Sequence, residues 1–112
     1  MRVRAQLNGT TLAVKVSGEF DIMAAEEFKE TVDVFLDGGR AKFLMIDLGG
    51  VTFIDSSGLG AILGRYKKVD QLKGKMVIAC PRAQVKKILT VSGIDKIVGI
   101  YSDKKSALSQ LC

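Results

Sequence analysis

The chain has 112 residues, of which 47% are apolar and 26% charged, a globular composition too short for more than one ordinary domain. It carries no histidine, which excludes a Ser-His-Asp triad, a Cys-His pair and any zinc site that needs an imidazole. The net charge of +5 is unevenly spread: residues 1–56 sum to −3 and residues 57–112 to +8, which suggests a surface suited to an acidic target.

Val3, Ala5 and Leu7, then Leu12, Val14 and Val16, alternate with polar residues as half-buried strands do, and Asn8-Gly9 between them suits a hairpin turn. Asp21 is placed to cap a helix over residues 22–37. Its apolar stripe is Ala24, Phe28, Val32, Phe35 and Leu36, and Gly38-Gly39 ends it. Phe43 to Ile46 is a continuous apolar run, as in a strand covered on both faces. A second helix is predicted from about Ser56 to Leu72, with Gly74 as a stop.

Met76 to Ala79 reads as another buried strand, and Cys80 at its end as a buried, inert thiol. Pro81 fits the first turn of a third helix that points Val85, Ile88 and Leu89 inward and ends at Gly93. Ile97 to Tyr101 is the last strand, and Asp103 to Leu111 a short closing helix. The order β-β-α-β-α-β-α-β-α predicts an α/β domain with a mixed sheet, its parallel part covered by helices.

Neither Cys80 nor Cys112 fits a CxxC motif, so no disulfide framework or metal site is expected. The N-terminus lacks the apolar core of a signal peptide, and no apolar stretch approaches the ~20 residues that span a bilayer. A soluble, cytoplasmic setting is expected.

The informative segment runs from Val51 to Lys68. Leu59, Ile62, Leu63, Tyr66 and Val69 follow helical spacing and are predicted to be the buried face. The opposite stripe is Gly60, Gly64, Lys67, Lys68 and Gln71. Each glycine inside a helix costs about 0.5–1 kcal/mol against alanine. Two on an outward face suggest the close approach of a partner backbone or a nucleotide; the alternative is a glycine packed against a neighbouring loop.

Ser56 and Ser57 stand at the predicted helix start, beside Gly58, which keeps the approach open. A serine there can cap the helix, contributing ~1 kcal/mol, or present its hydroxyl to a kinase. A phosphate adds about −1.5 to −2 charges at an end where unpaired N–H groups and the macrodipole tolerate an anion. Helix physics favours capping, and two adjacent serines leave one to cap and one to be modified.

Gly58-Leu59-Gly60-Ala61-Ile62-Leu63-Gly64 only partly resembles a dinucleotide-binding turn. Its third glycine is one residue late, and Met76-Val77-Ile78-Ala79 stands where an acidic residue is required. A Ser–Lys dyad would need Lys67 or Lys68 to reach Ser57 over ~15 Å of helix. Arg82, Lys86 and Lys87 lie on the third predicted helix, but no nucleic-acid-binding motif accompanies them.

Gly18-Glu19-Phe20-Asp21 and Asp55-Ser56-Ser57-Gly58-Leu59-Gly60, continued by Ile62-Leu63-Gly64-Arg65-Tyr66-Lys67, resemble the anti-sigma factor antagonists of the STAS family over nearly the whole chain. The Gly-Arg-Tyr-Lys continuation is similar to the sporulation branch, those that act on the anti-sigma-F factor; a general-stress pathway is the alternative. The resemblance implies one STAS domain over residues 1–112 and no enzymatic role, cofactor, metal, direct nucleic-acid contact or membrane contact.

It also implies a switch. The unphosphorylated protein binds an anti-sigma factor that is itself a serine kinase, freeing the sigma factor; phosphorylation of Ser57 ends binding, and a serine phosphatase restores it. Asp21 is then expected near Ser57. Partner contact is expected to involve Asp21, Asp55, Ser56, Gly58, Gly60, Gly64, Lys67 and Lys68.

Overall fold

The computed structural model describes residues 2–111, so Cys112 lies outside the described residues. The chain runs β1 Val3–Asn8, β2 Thr11–Phe20, α1 Ile22–Asp37, β3 Phe43–Ile54, α2 Ser56–Gln71, β4 Lys75–Ala79, α3 Ala83–Val91, β5 Gly99–Tyr101 and α4 Lys104–Ser109. Spatial order in the sheet equals chain order. β1 and β2 pair antiparallel across the expected hairpin, where Gly9 adopts a φ of 61°. The β2–β3, β3–β4 and β4–β5 pairs are parallel, which is the mixed sheet predicted.

Alternation along the strands sorts the side chains into two layers. Leu12, Val14, Val16, Leu44, Ile46, Leu48, Met76 and Ile78 face α1, α2 and α3 and form the main core with Phe28, Val32, Ile62 and Leu89. Met45, Val77 and Ala79 point to the other face, where Ala107 of α4 and the following Leu111 complete a smaller cluster. Among the described residues, no helix is long and apolar enough to cross a membrane.

Four local readings are corrected. β3 does not stop at Ile46 but continues through Gly49-Gly50 to Ile54, in step with the long β2 and through register irregularities at Lys15/Ser17 and Gly18/Glu19. The third helix starts at Ala83, after Arg82 rather than at Pro81, and ends at Val91. Gly93 then turns left-handed, with φ of 85°, into a one-turn 3-10 helix at Ile94–Lys96 that leaves only Gly99–Tyr101 as the last strand. Cys80 is half-buried rather than buried, with φ of 61°. Burial pushes its thiol pKa up, with the Asp47 charge acting in the same direction.

Candidate functional site

The parallel strands β2 and β3 end side by side, where the Asp55 N–H donates to the Phe20 carbonyl at 3.4 Å. Each is followed at once by a helix capped by the intervening aspartate. Asp21 Oδ1 accepts from Ala24 N at 3.1 Å, and Asp55 Oδ1 accepts from Ser57 N at 2.9 Å and Gly58 N at 3.2 Å. Two helix N-termini therefore sit together at the carboxyl end of the parallel strands, the usual location of binding sites in open α/β sheets. Arg2 Nη1 lies 3.3 Å from Asp21 Oδ1.

This overturns the expectation of a serine cap. With its carboxylate already accepting two orphan amides, Asp55 leaves neither serine hydroxyl the capping role. Ser56 is exposed and Ser57 half-buried. A groove of about 380 Å³ opens beside them between α1 and α2, lined by Ile22, Ala25, Glu26 and Lys29 on one side and Ser56, Ser57, Gly60, Ala61 and Arg65 on the other. Asp21 closes the neighbouring strand end one residue before Ile22, itself a groove residue.

The glycines of α2 divide into two kinds. A Cβ on Gly58 would stand 2.6 Å from the Phe20 carbonyl oxygen and 2.9 Å from Ile54 Cγ1. Gly58 is buried, and it serves the packing of α2 onto the sheet rather than the partner surface expected of it. Gly60 and Gly64 have nothing within 4 Å of a built Cβ. No neighbouring loop explains them, so the bland alternative for the stripe fails. Because Gly58 lies within α2 rather than in a loop before it, the segment also lacks the free turn that cradles a dinucleotide phosphate.

The buried face of α2 is Gly58, Ala61, Ile62, Arg65 and Val69, so the helix is rotated from the predicted stripe: Leu63 is exposed and Arg65 is 8% exposed. Arg65 is tolerated inside because Asp33 of α1 stands opposite, with Nε 3.0 Å from Oδ1. The contact is an ion pair without a directed hydrogen bond, and Arg65 Nη1 has no hydrogen-bond partner among the described residues.

Lys67 is exposed. Lys68 is instead held to α1, with Nζ 2.9 Å from Asp37 Oδ1 and 3.3 Å from Asp33 Oδ2. The hydrogen bond to Asp37 raises its pKa, and Asp33 adds to the effect. Three exposed apolar residues escaped the sequence reading: Ile22 and Met23 in the first turn of α1 and Phe53 at the end of β3. Ile22 carried a signal, an apolar residue directly beside a capping aspartate, where an outward position gains nothing for folding; Met23 and Phe53 carried none. The basic group read on the third helix is partly tied down, since Arg82, which precedes α3, donates from Nε to the Gly49 carbonyl at 3.0 Å.

A STAS domain is matched over residues 2–107. The anti-sigma F factor antagonist of Paenibacillus polymyxa is 32% identical over 111 residues, covering 99% of this chain and 95% of that one. The structure of the anti-sigma factor antagonist SpoIIAA in its unphosphorylated form superposes with a TM-score of 0.86 at 21% identity, covering 96% of this chain and 94% of that one. That of the Bacillus cell fate determinant SpoIIAA in the phosphorylated form gives 0.80 at 20% identity, covering 98% and 99%. By this match and by its fold, the chain belongs to the STAS-domain family.

Proposed function

We propose that the protein is an anti-sigma factor antagonist of the sporulation type whose partner binding is switched by phosphorylation of Ser57. The observation that carries this reading is the Asp55 cap. It leaves the Ser57 hydroxyl without a capping role at the positive end of a 16-residue helix, next to a groove and to two glycines that face open space. The names of the Paenibacillus relative and of the two SpoIIAA forms support it.

In this scheme the unphosphorylated protein docks on an anti-sigma factor serine kinase and displaces the sigma factor. Gly60, Gly64, Lys67 and the exposed Ile22, Met23, Phe53 and Leu63 form the contact surface, with Asp21, Asp55 and Ser56 at its edge. The kinase then transfers the γ-phosphoryl group of ATP to Ser57 Oγ. The O–P bond to ADP breaks as the new one forms, and the hydroxyl proton passes to a base of the kinase, which also supplies the metal. The added −1.5 to −2 charges must be desolvated or repelled at the interface, and each 1.4 kcal/mol of that penalty is tenfold in affinity. A serine phosphatase hydrolyses the ester and returns the hydroxyl. The chain is a substrate in both steps and catalyses neither.

Intact mass after incubation with the cognate kinase and ATP tests the assignment. One phosphate is expected on the wild type and none on Ser57→Ala; continued modification of that variant would move the site elsewhere.

A further inference from the structure

The groove beside Ser57 has a feature that docking alone does not require. A guanidinium more than nine-tenths buried normally has its N–H groups satisfied, because an unpaired buried donor loses its water without replacement. Arg65 breaks that rule: Nη1 has no hydrogen-bond partner and Nε only an undirected ion pair, among the described residues. The same side chain lines the groove together with Ser57. Ser57, Ala61 and Arg65 share one helical stripe at i, i+4 and i+8, about 12 Å end to end. Arg65 now reaches across to Asp33, so holding a phosphate on Ser57 requires its guanidinium to swing toward the N-terminal end of α2, and the intervening lining of Ala25, Gly60 and Ala61 is small enough to let it.

We propose that this groove is the seat of the Ser57 phosphate, with Arg65 and Lys29 as the cations that hold it. The proposal rests on Ser57 being the modified residue and adds where the new dianion goes. Lys29 lies across the groove on α1 and is paired at 2.9 Å with Glu26, also a lining residue. Such a half-exposed i,i+3 pair contributes little, so Lys29 can exchange that carboxylate for a phosphate oxygen. Asp33, 3.0 Å from Arg65 Nε, balances the guanidinium charge, and the α2 N-terminus favours the anion. The consequence is a switch by occupation: the phosphate fills the groove as well as charging its rim.

The test uses the full chain with phosphoserine encoded genetically at position 57, so its outcome does not depend on any kinase accepting Ser57. Phosphorus NMR reads the second ionisation of the phosphate, which lies near pH 6 for phosphoserine in water. The seat predicts a midpoint for residue 57 lower by about half a unit or more than that of free phosphoserine in the same buffer, with both Lys29→Ala and Arg65→Gln moving it back up. A midpoint unchanged by Lys29→Ala and Arg65→Gln overturns the proposal, because the helix N-terminus alone would leave both variants at the unsubstituted value. Should Arg65→Gln fail to fold, Lys29→Ala at the half-exposed position decides. Failure of a kinase to modify Ser57 would sink the functional reading and leave this result standing.

Discussion

Alanine at the three glycines of α2 separates fold from surface. At Gly58 the new Cβ would press on the Phe20 carbonyl at 2.6 Å, on Ile54 Cγ1 at 2.9 Å and on Phe20 Cγ at 3.0 Å. A carbonyl in a parallel sheet cannot retreat without disturbing the ladder, so overpacking of about 1–3 kcal/mol applies. The helical preference for alanine offsets about 0.5–1 kcal/mol of that. The net is a loss of up to about 2.5 kcal/mol, or up to about 10 °C in Tm at about 4 °C per kcal/mol for a chain of this size. At Gly60 and Gly64 nothing lies within 4 Å, so only the helix term remains, and each alanine should stabilise by about 0.5–1 kcal/mol. Thermal and urea unfolding of the three single variants reads all of this. The same Gly60→Ala and Gly64→Ala proteins should bind the anti-sigma factor more weakly despite being more stable. A loss of stability at Gly60→Ala comparable to that at Gly58→Ala would refute the division and remove the stripe from the docking surface.

Asp55→Ala removes both acceptor contacts at the start of α2 and should cost about 0.5–2 kcal/mol in urea unfolding, whereas Ser56→Ala, which removes no cap, should be near neutral. Asp33→Ala leaves Arg65 buried and uncompensated. The expected loss is roughly 2–3 kcal/mol, below the usual 3–5 for a buried pair because the Asp33 side chain keeps 26% of its surface in water. Cys80, with its thiol pushed up by burial, should alkylate with iodoacetamide more slowly at pH 8 than a free peptide thiol, measured in a Cys112→Ser background; equal rates would contradict the burial argument.

The amide of Ser106, at 2.7 Å, holds the Asp103 carboxyl below its ordinary 3.8. The lowered folded value means that this cap is fully present at neutral pH. It is lost only as pH falls from about 3.8 through the folded midpoint, so the Ser106 amide shift should titrate below 3.8.

Element order was legible because its signals are local. Asn8-Gly9 makes its hairpin, Asp21 caps its helix, and Ala24, Phe28, Val32 and Leu36 go inside as their spacing demands. What was not legible is set by tertiary neighbours. The length of β3 depends on β2 running alongside past Gly49-Gly50, two residues that in isolation end a strand. The rotation of α2 depends on Gly58 abutting Phe20 and on Asp33 waiting opposite Arg65, so an arginine went inside while Leu63 stayed out. Within the site, the Asp-Ser-Ser-Gly motif located the serines but not their division of labour. Asp55 is equally able to cap, and one residue of difference in where the helix starts decides which side chain takes the role. The charge asymmetry that suggested a basic docking face is partly consumed by contacts within the chain, of Arg65 and Lys68 with aspartates of α1 and of Arg82 with the Gly49 carbonyl of β3.

The most direct test of the proposed switch is the affinity of the proposed partner, an anti-sigma factor kinase, for this protein with and without phosphate on Ser57, by titration calorimetry. Tight binding of the unphosphorylated form and binding at least about 100-fold weaker for phosphoserine at 57, a change of roughly 2.7 kcal/mol, is the result expected. Equal affinity for the two forms would contradict it.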